Sequence, residues 1–199
     1  MPRRARDADA TRHAILEAAQ ALFVERGFGS TSLAQIGARC NCTNSLILHH
    51  FDSKEQLWSA VKDRCFQEFL EEQRSLFAQD EVSLESLRET ARAYFRLLQR
   101  NPQVVQLLVR AELERDLGCN RYDEERLAPF VEQMQRAQTA GLLRDDVPAA
   151  HLLLMMIHCI TQWFESRHMF RDWSELQGEG VDDAYLDSLL KVFFEGATA

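Results

Sequence analysis

The residues of this chain whose types could do chemistry are a cysteine pair, Cys40-x-Cys42, and three histidines, His151, His158 and His168. Thiolates and imidazoles ligate metals, and paired thiols are also redox-active. The spacing argues against both uses. Two thiols do not complete a tetrahedral zinc site, and no His/Cys cluster stands nearby at ligand spacing. Packing as small hydrophobes is the favoured reading of Cys40 and Cys42, with sensing as the alternative. His151 and His158 share a helical face two turns apart, whereas His168 lies off it. A metal triad would need ligands from other elements, so a pocket hydrogen bond or a surface role is favoured. No metal and no cofactor are expected. Nucleophile-elbow, phosphate-loop, zinc-protease and dinucleotide motifs are all missing from the sequence, so an enzyme is not expected. The enzymatic rival is a helical protein using His158 with a nearby glutamate or Cys159.

Cations form a second group. Arg3, Arg4, Arg6 and Arg12 against Asp7 and Asp9 give four minus two, or +2, over the first 12 residues of a chain whose net charge is −8. Overall basicity is excluded, but a local basic surface is not. A short arm over residues 1–9 could follow phosphates or enter a minor groove, with Arg4 and Arg6 as contacts. The other reading is a solvated, flexible tail.

These residues need a scaffold, and its class follows from composition. Hydrophobic residues at 46% and charged residues at 27% of 199 residues describe an ordinary folded chain, which excludes disorder over most of its length. Eight glycines and four prolines are few for strands joined by tight turns, so helices are favoured. The charged N-terminus is followed by no apolar core and does not read as a signal peptide. The longest purely apolar run, Leu152 to Ile157, is far short of the roughly 20 residues that span a bilayer. Five cysteines in a chain of this size read as reduced thiols, so a cytoplasmic protein with no membrane partner is expected.

Helical periodicity recurs along the chain. Ile15, Ala18, Ala19, Leu22 and Phe23 share one face of a helix starting near Thr11, and Gly27 suits its left-handed cap. Ser32-x-x-Gln35 is a capping box for a second helix, with Leu33, Ile36 and Gly37 inward. Cys40-Asn41 breaks it. Thr43 caps a third short helix with Ile47 and Phe51 buried, and Ser53-x-x-Gln56 opens a long fourth. Ser83 caps a helix carrying Leu87, Ala91, Tyr94, Phe95 and Leu98, and Asn101-Pro102 starts the next. A break at Gly118-Cys119-Asn120 precedes a helix from about Tyr122 to before Gly141. Helices from Ala149 to about Met169, and from Val181 onward, complete about nine, with no convincing strand.

Three short helices within residues 11–51, the last two joined by a tight turn, have the spacing of a helix-turn-helix. Here the chain resembles the TetR family of bacterial transcriptional regulators. The match runs through Ile15-Leu16-x-Ala18-Ala19-x-x-Leu22-Phe23-x-x-x-Gly27 and Thr31-Ser32-Leu33-x-x-Ile36-Gly37. It continues through the turn at Cys40-Asn41-Cys42, then Thr43, Ile47, His49 and Phe51, then Ser53-Lys54-Glu55-x-Leu57. Beyond these, length, helix content and a Gly141-Leu142-Leu143-Arg144 connector agree. The resemblance implies an N-terminal DNA-binding domain over residues 10–53 (motif about 32–51), and a helical effector-binding and dimerisation domain over 54–199. It also points to Thr31, Thr43, His49 and Lys54 as phosphate contacts, and Ser32 is a further candidate for DNA binding.

On a wheel at about 100° per residue, Ile47 and Phe51 define the buried side of the third helix. Ser45, Leu46, Leu48 and His49 then point outward, flanked by Asn44 and His50, and this face would enter the major groove. Where the family usually carries glycine, threonine and tyrosine, this chain has Ser45, Leu46 and Leu48. The leucines can touch thymine methyls but cannot hydrogen-bond a base edge. Asn44 is the best direct reader, through the amide pairing that suits adenine. Asn41 replaces the turn glycine of the family and tolerates the left-handed conformation.

The stretch from Leu152 to Phe164 is apolar all round, and such a helix must be covered on every side. Leu153, Ile157, Ile160 and Phe164, with Leu186, Leu189, Leu190 and Phe193 of the closing helix, are the expected four-helix interface of a homodimer. Tyr94, Phe95, Leu98, Arg110, Met134, Met155, His158, Cys159 and Trp163 are the candidate effector pocket, with plain core as the alternative. The expected fold is all-α, and the expected function a DNA-binding regulator, foremost a dimeric repressor on a palindromic double-stranded operator, released by a small-molecule effector. A small-molecule-binding adaptor that has lost DNA binding is the other alternative.

Overall fold

The computed structural model describes residues 3–77, 82–113, 124–170 and 172–198. Among them are nine α-helices and two short 3₁₀ turns. The helices are α1 (Arg3–Arg26), α2 (Leu33–Cys40), α3 (Asn44–Phe51), α4 (Lys54–Phe77), α5 (Leu84–Arg100), α6 (Pro102–Leu113), α7 (Glu124–Thr139), α8 (Ala149–Ser166) and α9 (Val181–Ala197). The break at Gly118-Cys119-Asn120 and the helix start at Tyr122 lie outside the described residues. The chain divides into two compact units, one of residues 1–68 and 106–121 and one of residues 69–105 and 122–199.

In the first unit, α1 begins at Arg3 rather than near Thr11. The alanines at 5, 8 and 10 are strong helix formers, so residues 3–9 continue the helix in place of an irregular arm. Gly27, at φ 82°, ends α1, and its N–H bonds the Phe23 carbonyl at 2.9 Å. Ser32 and Gln35 form the expected capping box. Asn41 takes the left-handed conformation (φ 53°, ψ 42°) as the C-cap of α2. Thr43 Oγ1 accepts from the Leu46 N–H at 3.2 Å and starts α3. Ser53 Oγ accepts from the Gln56 N–H at 3.0 Å at the start of α4.

One apolar core holds these helices together. Ile15, Leu16, Ala18, Ala19, Leu22 and Phe23 of α1 meet Ile36 of α2 and Ile47 and Phe51 of α3. Leu57, Trp58 and Val61 of α4 and Leu107 of α6 belong to the same cluster. Phe23 meets Trp58 edge-on at 4.9 Å between ring centres. The first turns of α4 are thus part of the helix-turn-helix core. That is why the compact unit extends past residue 53, where the sequence pattern placed the boundary.

In the second unit α8 packs against α5, α7 and α9. This accounts for a helix that is apolar all round: its own unit covers most of its circumference. The Gly141-to-Arg144 connector docks on the end of α9. Leu143 is buried, the Arg144 N–H bonds the Ala197 carbonyl at 2.8 Å, and its guanidinium reaches the Gly196 carbonyl and Asp146.

Candidate nucleic-acid interface

α3 has the two-sided character read from the sequence. Ile47 and Phe51 are buried, whereas Thr43, Asn44, Ser45, Leu46, Leu48 and His49 are exposed and His50 is half-buried. This leaves a row of hydroxyl, amide, imidazole and isobutyl groups facing outward on one short helix. The rings of His49 and His50 lie 5.7 Å apart, and His50 in turn neighbours Phe51 at 6.3 Å.

Several contacts fix the aim of α3. Asn41 turns the chain, and Gly37 lets it pass: a Cβ on Gly37 would stand 2.4 Å from the Cys42 carbonyl oxygen. The Cys42 N–H bonds the Gly37 carbonyl at 2.9 Å. Arg39 on α2 pairs with Glu25 on α1 at 2.8 Å. The Arg12 guanidinium lies 4.9 Å over the Phe51 ring, tying α1 to the end of α3. Neither the Arg39–Glu25 pair nor the Arg12–Phe51 contact was legible from spacing, because each joins side chains far apart in sequence. Asp52, at φ 59°, makes the turn from α3 to α4, its N–H bonding the Leu48 carbonyl at 2.8 Å. No glycine or asparagine marked that turn.

Two of the expected phosphate contacts have partners within the protein. Thr31 is 1% exposed, and its hydroxyl donates to the Gly27 carbonyl at 2.7 Å, with the Leu22 carbonyl at 3.3 Å. It locks the α1–α2 corner and has no hydroxyl to offer a phosphate. Ser32 beside it is the exposed cap, its Oγ accepting from the Gln35 N–H at 3.3 Å. Lys54 Nζ donates to the Phe28 and Thr31 carbonyls, each at 2.9 Å, and sits 4.1 Å over the Phe28 ring. It acts first as a clamp between α4 and the loop before α2. Arg4 and Arg6 lie along α1, with side chains outside the described residues.

The thiols at the turn are partly buried. Cys42 Sγ donates to the Cys40 carbonyl at 3.4 Å. Burial, and then the hydrogen bond and charge of the Cys42 side chain, push the Cys40 thiol up to about 11, so it stays protonated near neutrality. Burial likewise pushes Cys65 to about 11. Among the described residues no group of three or more His, Cys, Asp or Glu could hold a metal.

The effector-pocket candidates differ in their surroundings. Phe95, Leu98 and Met134 are buried core. Tyr94 hydrogen-bonds Thr161 through its hydroxyl at 2.9 Å. Met155, His158 and Cys159 face outward, and His158 Nδ1 donates to the Leu154 carbonyl at 2.7 Å. Arg110 belongs to the first unit, where its guanidinium meets the Glu25 carbonyl at 3.4 Å. Trp163 does line a cavity of about 430 Å³, with Gln99, Arg167, His168, Asp182 and Asp183. There Asp182 accepts from Trp163 Nε1 at 2.9 Å and pairs with Arg167. Burial alone would raise its pKa, but the Arg167 and Trp163 hydrogen bonds hold it below the ordinary carboxylate range.

The dimer candidates are also redistributed. Leu153, Ile160, Phe164, Leu186 and Leu190 are buried within the unit, and Ile157, Leu189 and Phe193 are half-buried. The buried five are covered by their own unit. The outward faces of these helices are instead His151, Met155, His158, Cys159 and Gln162 on α8, and Ala184, Asp187, Ser188, Lys191, Val192 and Glu195 on α9. Met155 is 53% and Val192 71% exposed.

An all-helical chain whose first helices set a short, polar-faced helix on a left-handed turn is a helix-turn-helix protein. Comparison with known proteins agrees. The family model for bacterial regulatory proteins of the tetR family matches residues 15–61, and a tetracyclin repressor-like C-terminal domain matches residues 86–183. The chain is 28% identical over 174 residues to the HTH-type transcriptional repressor NicS of Pseudomonas putida, covering 83% of this chain and 81% of that one. It is 29% identical over 189 residues to the HTH-type transcriptional regulator UidR of Escherichia coli K12, covering 86% and 90%. The crystal structure of a TetR family transcription regulator from Marinobacter aquaeolei VT8 shares the fold, with a TM-score of 0.75 at 20% identity and 98% of each chain covered. The protein is a helix-turn-helix transcriptional regulator. It belongs to the TetR family. Among the described residues no helix is long and apolar enough to cross a membrane.

Proposed function

We propose that this protein is a dimeric repressor that grips a palindromic DNA operator with α3 of each subunit and releases it when a small molecule binds the second unit. The observation that carries the reading is the outward row on α3, held in place by a core that runs from α1 to α4. Asn44 reads a base edge, Leu46 and Leu48 touch thymine methyls, and Ser45 and His50 adjust at the edges of the groove. Ser32, Thr43 and His49 meet phosphates, along with backbone N–H groups at the starts of α2 and α3. Residues 10–53 supply the contacts, Arg4 and Arg6 extend them along the backbone, and residues 54–199 dimerise and sense.

The exposed apolar groups on α8 and α9, with Met155 and Val192 foremost, support a four-helix contact with a second copy. Twofold symmetry then requires paired half-sites, set about one DNA turn or roughly 34–36 Å apart. A ligand that prefers a different spacing of the two α3 helices shifts the population away from the DNA-bound form. The description of NicS as a repressor supports repression over activation.

The test is selection of bound duplexes from a random pool by the purified protein, at low and moderate salt. Enrichment of a palindrome is the expected result. Salt-sensitive binding without enrichment would overturn the operator reading. Absence of binding at both salts, with the dimer intact, would favour an adaptor that has lost DNA binding.

A further inference from the structure

Gln73 on α4 is 1% exposed, in the second unit. Its Oε1 accepts from the Thr90 hydroxyl on α5 at 2.7 Å. Its Nε2 is buried with no hydrogen-bond partner. Buried amide donors are nearly always paired, because leaving one unpaired forfeits its hydration without replacement. This atom therefore marks a point where an acceptor is missing.

The surroundings define what could supply it. Phe69 lies one turn before Gln73 on the same face of α4. Phe69 stacks on Phe130 of α7 with ring centres 5.8 Å apart and an interplanar angle of 4°, and lies 5.7 Å from the Tyr94 ring of α5. Tyr94 is one turn beyond Thr90, and its hydroxyl is engaged by Thr161 of α8. Four helices thus contribute to one aromatic wall with neutral polar groups set into it. Among the described residues, the buried polar side chains of this unit are Gln73, Gln133 and Thr161, all uncharged. None of these three buried groups offers a counter-charge to a charged ligand.

We infer that Gln73 is the anchoring donor of the effector site, and that the effector is an uncharged, mainly apolar or aromatic molecule whose carbonyl-type oxygen accepts from Gln73 Nε2. This rests on the proposal that the second unit senses a small molecule, and adds to it the anchor and the ligand class.

The test is calorimetric titration of the full-length protein with acetophenone, ethylbenzene, benzoate and 4-ethylphenol. Acetophenone is expected to bind about tenfold or more tightly than ethylbenzene, the size of effect that one well-placed hydrogen bond gives, and more tightly than benzoate. In Gln73→Leu the ketone and the hydrocarbon should bind alike. That variant should fold, because the Thr90 hydroxyl keeps the Ser86 carbonyl as an acceptor at 3.1 Å. Gln73→Met repeats the test with an unbranched side chain should the leucine fail to fold. Equal affinity for ketone and hydrocarbon in the wild type, or no ketone binding up to its solubility, would leave only a buried water to satisfy the amide and would overturn the inference. So would a ketone preference that survives in the Gln73 variants. Tighter binding of 4-ethylphenol than of acetophenone would mean that the amide presents its oxygen, and would overturn the carbonyl assignment. Duplex selection is independent of all these titrations. A palindrome enriched by a protein without ketone preference would leave the repressor standing and remove this effector class.

Discussion

The Cβ position of Gly37 stands 2.4 Å from the carbonyl oxygen of Cys42. The end of α2 and the start of the turn pass each other at a distance that no side chain allows. The obstacle is backbone, so no rotamer change relieves it. Gly37→Ala must push the turn away and re-aim α3. We expect a loss of about 1–3 kcal/mol in stability, the usual range for overpacking, together with loss of operator binding. Thermal unfolding and a gel-shift titration check both, and a variant that keeps full affinity would show that the turn does not set the aim of α3.

Lys54 gives a second, more discriminating case. Its ammonium engages the Phe28 and Thr31 carbonyls. Lys54→Met should lower stability by about 1–2 kcal/mol by leaving those acceptors unpaired. It should weaken binding to all duplexes alike while the log–log salt slope changes by less than one phosphate equivalent. A slope shallower by a full unit, with stability unchanged, would restore Lys54 as a direct phosphate contact.

Asn44 is exposed at the first position of α3 and should act differently. Asn44→Ala should relax base preference at one operator position per half-site, a loss of about 1–3 kcal/mol of discrimination there, with other positions unaffected. Sequencing of selected duplexes reads this directly. A uniform loss across all positions would assign Asn44 to the DNA backbone.

The Asp182 carboxylate, bonded by Arg167 and Trp163, has a lowered folded-state pKa. Its contribution is present above the ordinary carboxylate pKa and is lost as pH falls through the lower folded value. Asp182→Asn should therefore melt lower than wild type at pH 7, by roughly 2–4 °C for a contribution of about 1 kcal/mol after solvent screening. The difference should close as pH drops through and below the carboxylate range. A gap that persists unchanged at acid pH would show that shape, not charge, makes the contact.

Val192 is the most exposed apolar residue of the α8 and α9 faces. Val192→Glu should convert a dimer to a monomer in sedimentation velocity and abolish cooperative operator binding, with helix content unchanged. A dimer that persists would move the interface elsewhere.

Much of the DNA-facing unit was legible in the sequence because its determinants are local. The capping pairs Ser32 with Gln35 and Thr43 with the Leu46 N–H, the left-handed Asn41, and the apolar spacing of Ile15, Leu22, Ile36, Ile47 and Phe51 all act within a few residues. From these follow the helices, the turn and the outward face of α3. Tertiary structure decided the rest, because burial and pairing depend on neighbours distant in sequence. It turned Thr31 inward and engaged Lys54 with carbonyls more than 20 residues away. It drew the first turns of α4 into the core of the first unit. An all-round apolar α8 cannot announce which face its own α5, α7 and α9 will cover, so Leu153 and Ile160 went inward while Met155 and Val192 stayed out. Nor can a single glutamine in a polar helix announce that its amide will be buried against an aromatic wall with its N–H unpaired, as at Gln73, since only the packing of other helices removes the water that would have paired it.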